Sequence, residues 1–433
     1  MRPAAACHAA RGHAAWGNPV RLAWVWQRCR WYNRESDDGG YSSAAERLTV
    51  AQDVVGSIPT SRPKHCALPM NPGKPALPPD SDWLTSYTPI RYLRGGHGQT
   101  LVGNFWPRPK PVVGEAEAVL VDPEDGSRVL CHCHWQRSER TGAVEGDRLT
   151  LLLLHGLEGS SNSGYILGIT ELALRAGCNV IRMNMRNCGG TEAWTPTLYH
   201  SGRSADVAAV ALHFQQKHAL ERVAMIGYSM GGNLVLRMTG ELGAKVPRWL
   251  TAVATVSPVT DLAESADALH QPSNRIYEQH FLRRLMRRYA RKAELFPETY
   301  RVGNLPPIRS IRDFDEAIVA PHSGFTGADD YYHRASSARH ADALSMPTLI
   351  LHALDDPFIR MHPRTRETLL ANSAVRLVES RHGGHCAFLA ARTSPAPVPF
   401  CRHWAEITSM RFVLAASGMS AEDHLRWRVT HGG

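Results

Sequence analysis

A serine set between glycines is the first chemistry this chain offers: Gly227-Tyr228-Ser229-Met230-Gly231. The apolar run Val223–Ile226 precedes it and the apolar stretch Asn233–Thr239 follows, so a strand would turn sharply into a helix at the serine. Such a turn strains the serine backbone and needs glycine where a Cβ would clash. It also presents the hydroxyl at a helix N-terminus, where the dipole favours a developing anion. A serine hydroxyl is a weak nucleophile until a base, oriented by a third group, takes its proton. In this architecture an acid and then a histidine should follow, each after a later strand. Leu349–Leu351 runs into His352-Ala353-Leu354-Asp355-Asp356-Pro357, and Val375–Val378 runs into Arg381-His382-Gly383-Gly384-His385-Cys386. Asp356, directly before Pro357, is the expected acid, which leaves Asp355 as a loop residue or turn cap. His385, after two glycines, is the expected base, with His382 a neighbour at the surface. The negative charge of a tetrahedral intermediate needs fixed donors. The backbone amides of Met230 and of Leu157, in His155-Gly156-Leu157-Glu158-Gly159, are the expected pair.

These groups need a scaffold, and its outline is written in the apolar pattern. Leu149–Leu154 is a continuous apolar run, as in a strand covered on both faces. Similar runs recur at Asn179–Met183, Val223–Ile226, Thr251–Val256, Thr348–Leu351 and Val375–Val378, with helix-like stretches such as Tyr165–Ala176 and Ser204–His218 between. Strands alternating with helices predict an α/β fold: a mostly parallel central sheet with helices on both faces. The interval from about 258 to 345 separates two strands, looks helical and reads as an inserted cap.

Of the 433 residues, 43% are apolar and 21% charged, which excludes a collagen-like or mainly disordered chain. No apolar run approaches the roughly 18 residues that cross a bilayer. The patch Leu22–Trp26 falls short of a signal-peptide core. Nine scattered cysteines without a CxxC pair indicate no disulfide framework and a reducing cytoplasm. The net charge of +9 is divided, since residues 1–69 hold nine Lys+Arg against five Asp+Glu. The mild remaining bias gives no reason to expect nucleic acid as a partner. Residues 1–69 lack any apolar period, and Val54–Thr60 resembles a translated transfer-RNA T-arm. They are expected to be a disordered tail or a spurious extension, with the folded domain spanning 70–433.

Several further segments carry a resemblance: Gly95-Gly96-His97-Gly98-Gln99-Thr100, Arg186-Asn187-Cys188-Gly189-Gly190, Tyr199-His200-Ser201-Gly202 and Asp329-Asp330-Tyr331-Tyr332. Together with the loops at 155–159, 355–358 and 382–385, they resemble the α/β-hydrolase superfamily, and within it the YheT-like esterase/lipase family. The match runs over about residues 85–410, with Gly98 and Asn187 as departures that bear on substrate details alone. The resemblance implies a triad of Ser229, Asp356 and His385, hydrolysis of short- or medium-chain acyl esters or lipids, and no cofactor.

Two rivals remain open at the level of sequence. An acyltransferase on the same fold would use an alcohol or thiol in place of water, although no His-x-x-x-x-Asp box is present. A catalytically silent binding module would have no use for an intact triad. Cys131-His132-Cys133-His134 is not read as a metal site, because successive strand residues point to opposite faces. In His280–Lys292 the apolar stripe Phe281, Leu282, Leu285, Met286 and Tyr289 is flanked by Arg283, Arg284, Arg287, Arg288, Arg291 and Lys292. That pattern predicts a cap helix with a solvated basic face, or one that makes weak contact with an anionic membrane surface.

Overall fold

Every residue of Thr150–Leu154 is buried, which in a strand requires cover on both faces of its sheet. The computed structural model describes residues 76–108, 116–123, 126–303, 305–391 and 402–420, and there the cover is plain. Eight strands form one sheet: β1 (Glu117–Val121), β2 (Val129–His134), β3 (Thr150–Leu154), β4 (Asn179–Met183), β5 (Val223–Tyr228), β6 (Leu250–Val256), β7 (Thr348–Ala353) and β8 (Val375–Ser380). Their order is β1-β2-β4-β3-β5-β6-β7-β8. β2 runs antiparallel to both its neighbours, and every other pairing is parallel.

The principal helices are α1 (Gly96–Phe105), α2 (Gly164–Arg175), α3 (Ser204–His218), α4 (Met230–Leu242), α5 (Leu262–Leu269), α6 (Arg275–Leu295), α7 (Ala328–Ala335), α8 (Pro363–Ala371) and α9 (Trp404–Ala416). Alternate leucines of β3 serve opposite layers. Leu151 and Leu153 pack with Ile169 and Leu172 of α2 and with Met410 and Phe412 of α9. Leu152 and Leu154 pack with Val207 and Phe214 of α3 and with Leu234 of α4. The α/β class, the parallel core and helices on both faces agree with the sequence pattern.

Some elements carry no strong sequence signal. β1 is an edge strand with two exposed residues, so its apolar alternation is weak. α1 contains three glycines, poor helix formers, yet the close approach explains one: a Cβ on Gly103 would lie 2.4 Å from that of Ala387. On β2, His132 bonds Ser161 Oγ through Nδ1 at 2.9 Å, and His134 lies beside the guanidinium of Arg182. The cysteines Cys131, Cys133, Cys178, Cys188 and Cys386 are all free.

Between β6 and β7 the chain is helical, with α5, α6 and α7 joined by the turn Ile311–Phe314 and a π-helical turn at Asp315–Val319. The stripe of α6 faces the core as expected, but its basic side is only partly solvated. Lys292 is fully buried, donating to the carbonyls of Glu192 and Thr195. Arg288 turns inward onto Glu158 and Glu192. The solvated-face reading is therefore corrected at these two positions; Arg283, Arg287 and Arg291 stay exposed. No described helix is long and apolar enough to cross a membrane. The expectations for residues 1–69 lie outside the described residues.

Candidate active site

β5 ends at Tyr228 and α4 begins at Met230, so one residue makes the turn. Ser229 does so with φ 52° and ψ −118°, a conformation costing about 1–3 kcal/mol in a non-glycine residue. The neighbouring backbone is too close for side chains. A Cβ on Gly227 would lie 2.5 Å from Gly231 O, and one on Gly231 would lie 2.5 Å from His155 O. Ser229 N donates to Val256 O at 3.0 Å, which ties the turn to the end of β6. The amide of Met230, first in α4, has no helical carbonyl to bond.

Beside this turn lies the loop after β3. His155 donates from Nδ1 to Gly156 O at 2.8 Å and accepts from Met185 N at Nε2 at 3.1 Å. Burial pushes its pKa down to about 4, so the neutral ring acts as a brace. Gly156 donates to the Tyr165 hydroxyl at 2.9 Å, and a Cβ on it would sit 3.1 Å from that of Ser229. Leu157 follows directly and, with Met230 and Ser229, lines one chamber. Glu158 is left-handed, at φ 56°. Its buried carboxylate accepts from Arg288 at 2.9 and 3.1 Å and from Tyr199 at 2.6 Å. Burial alone would raise that carboxyl, but the Arg288 charge and these bonds hold it below its ordinary value.

The two downstream loops meet here. His385 donates from Nδ1 to Asp356 Oδ2 at 2.9 Å. Asp356 is 1% exposed, and its other oxygen accepts from Phe358 N at 3.1 Å and Ile359 N at 2.9 Å. Asp355 instead accepts from Gly384 N at 2.9 Å, with His382 3.7 Å away. The Gly95–Thr100 segment clamps both loops. Thr100 Oγ1 accepts from His385 N at 2.8 Å, and a Cβ on Gly96 would overlap Asp355 O. Burial would lower the His385 pKa, but the Cys386 sulfur and the Asp356 carboxylate outweigh it and hold the ring well above 6.5. In this conformer Nε2 lies 3.7 Å from Cys386 Sγ, and no hydrogen bond joins it to Ser229 Oγ. The histidine loop still sits against the serine turn, because Cys386 N donates to Ser257 Oγ at 3.2 Å and Cys386 Sγ contacts Val256 O at 3.5 Å.

Ser229 opens into a chamber with about 970 Å³ of empty space, part of it open to solvent. Phe281, Leu285, Phe314 and Phe358 make its wall apolar. Phe358 bridges to the base, its ring 4.5 Å from that of His385. The structure thus joins His385 to Asp356 and sets Ser229, Leu157 and Met230 on one cavity. Sequence reasoning had Thr100, Phe358 and Glu158 only as members of motifs and missed their contacts, the role of Tyr165 and the Glu158–Arg288 pair, because the partners are distant in the chain.

A mostly parallel sheet with a strained serine at a strand-to-helix turn defines a class. Residues 150–391 match the α/β hydrolase fold family, and the chain belongs to that family. It is 30% identical to phospholipase ABHD3 of Mus musculus over 70% of this chain and 73% of that protein. It is also 33% identical to YheT of Escherichia coli (strain K12), over 55% of this chain and 70% of that protein. A monoacylglycerol lipase of Saccharomyces cerevisiae is 27% identical over 58% of each chain.

Proposed function

We propose that this chain is a serine hydrolase of carboxylic esters, with short- or medium-chain acyl esters or lipids as substrates. Similarity to a phospholipase and a monoacylglycerol lipase supports the substrate class. The observation that carries the reading is the strained Ser229 in the lining of a mostly apolar chamber, near a His385 oriented by a fully satisfied Asp356. His385 Nε2 takes the Ser229 proton as Oγ attacks the ester carbonyl carbon, and the amides of Leu157 and Met230 hold the resulting oxyanion. Collapse expels the alcohol, which receives the proton from His385. Water, deprotonated by His385, then attacks the acyl-enzyme, and the acid departs as Ser229 regains its proton. For this, Nε2 must move from Cys386 to Ser229, a tightening common when substrate enters. The helical segment 258–345 acts as the cap over the chamber. The free cysteines support a reducing, cytoplasmic setting.

A series of p-nitrophenyl esters from acetate to palmitate tests the proposal on the full chain. Turnover with an optimum in the short to medium range is expected. Absence of turnover across the series would refute it.

A further inference from the structure

The chamber is mostly apolar, but polar side chains enter its lining, among them Asp315, Tyr331 and Tyr332 from residues 311–335 and His200 from the loop before α3. Asp315 opens the π-helical turn, a distortion frequent at functional sites. It is 8% exposed and lines the chamber, where its Oδ2 accepts from the Tyr332 hydroxyl at 2.7 Å. Among the described residues nothing bonds its Oδ1. Arg312 lies over the Tyr332 ring, but its guanidinium is engaged by Asp267 and Asp329 at the surface. Burial pushes the Asp315 carboxyl up to about 7, against the pull of Tyr332 and Arg312.

Two further side chains that can donate line the same chamber, Tyr331 and His200. Tyr331 accepts from Ser201 N at 3.0 Å, with the Ser201 side chain also within hydrogen-bonding reach, so its proton can turn to Ser201 or to a ligand in the chamber. His200 accepts from Gly202 N at Nδ1 at 3.1 Å, so the neutral ring carries its proton on Nε2. The rings are contiguous, with centroids 5.3 Å apart for Tyr331 and Tyr332 and 5.8 Å for His200 and Tyr331. A half-bonded carboxyl in an apolar chamber is costly to fold around, and a purely structural one is bonded at both oxygens, as Asp261 is by Thr260, His362 N and Thr365.

We propose that Asp315, with Tyr331 and His200, forms a hydrogen-bonding subsite that selects esters bearing a hydroxyl group. A hydroxyl both gives and accepts, and so suits a chamber that offers one free acceptor and two donors. An ammonium would meet those donors and Arg288 across the same chamber, and a second carboxylate would meet Asp315. The proposal rests on the reading of Ser229 as nucleophile. It assigns a role to the Tyr331-Tyr332 motif, which the triad does not use.

Matched ester pairs test it on the full chain. On the acyl side, p-nitrophenyl 6-hydroxyhexanoate is compared with p-nitrophenyl hexanoate. On the alcohol side, 6-hydroxyhexyl hexanoate is compared with hexyl hexanoate. In one pair the hydroxylated ester should be preferred about tenfold or more in kcat/KM, since sites built for a hydroxyl reject the analogue without it. Which pair responds tells whether the hydroxyl belongs to the acid or the alcohol. Asp315→Leu should bring the ratio to about one, and Asp315→Asn should retain part of it. Because the ratio is internal to each variant, a reduced active fraction cancels. A ratio near one in the parent for both pairs, or a preference that Asp315→Leu leaves intact, would overturn the subsite alone. No turnover of any of the four esters would overturn the Ser229 reading and the subsite with it.

Discussion

The proton on His385 decides when Ser229 can attack. Burial works against that proton, but Cys386 and Asp356 hold the ring well above 6.5, so the neutral base prevails only at higher pH. The value of kcat/KM should therefore rise along a limb centred above 6.5 and be lost as pH falls through it. Asp356→Asn removes the favourable charge, so the limb should move to lower pH while kcat drops about 10⁴-fold. Asp355→Asn should cost far less, since Asp355 holds the Gly384 amide and not the ring. A pH–rate series on one soluble p-nitrophenyl ester reads both outcomes, and reversed effects would exchange the two acids. Ser229, Asp356 and His385 were legible because each sits in a short motif at a strand end. Thr100 and Tyr165 were not, because a threonine bonding an amide 285 residues away leaves no local trace.

Among the elements, α6 shows where sequence pattern stops being informative. Its apolar stripe was visible at the expected spacing, but the fate of each arginine depends on what the helix lands on. Arg288, 12% exposed at its side chain, lands on Glu158 at 3% and pins the helix to the loop carrying Leu157. Removing one partner of such a buried pair typically costs about 3–5 kcal/mol. Arg288→Met should therefore lower the unfolding free energy by about 3 kcal/mol in urea titrations and also lower kcat, as the Leu157 loop loses its brace. Arg283→Gln, on the exposed side, should stay within about 0.5 kcal/mol of the parent. Equal losses for the two would mean the Glu158 contact adds nothing. The strands β3 to β7 were read from apolar runs because both faces are covered, and β8 from a short run at the sheet edge. β1 and α1 escaped notice, one for its exposed edge and the other for its glycines.

At the scale of the whole molecule, the sheet supplies rigid strand ends and the helical segment between β6 and β7 supplies the chamber wall. Ser229, Leu157 and Met230 come from the first, and Phe281, Phe314 and Asp315 from the second. The sheet and its strand-end loops were legible in the sequence because they repeat a strand–helix rhythm. The chamber was not, since its shape depends on how irregular helices pack. The central claim is that Ser229 is the nucleophile, and covalent labelling tests it most directly. The full chain is treated with a fluorophosphonate probe, digested, and its modified peptide located by mass spectrometry, alongside Ser229→Ala. The adduct should fall on Ser229 alone, and the variant should lose both labelling and ester turnover. A variant that still labels, or still hydrolyses the ester at the parent's rate, would contradict the account.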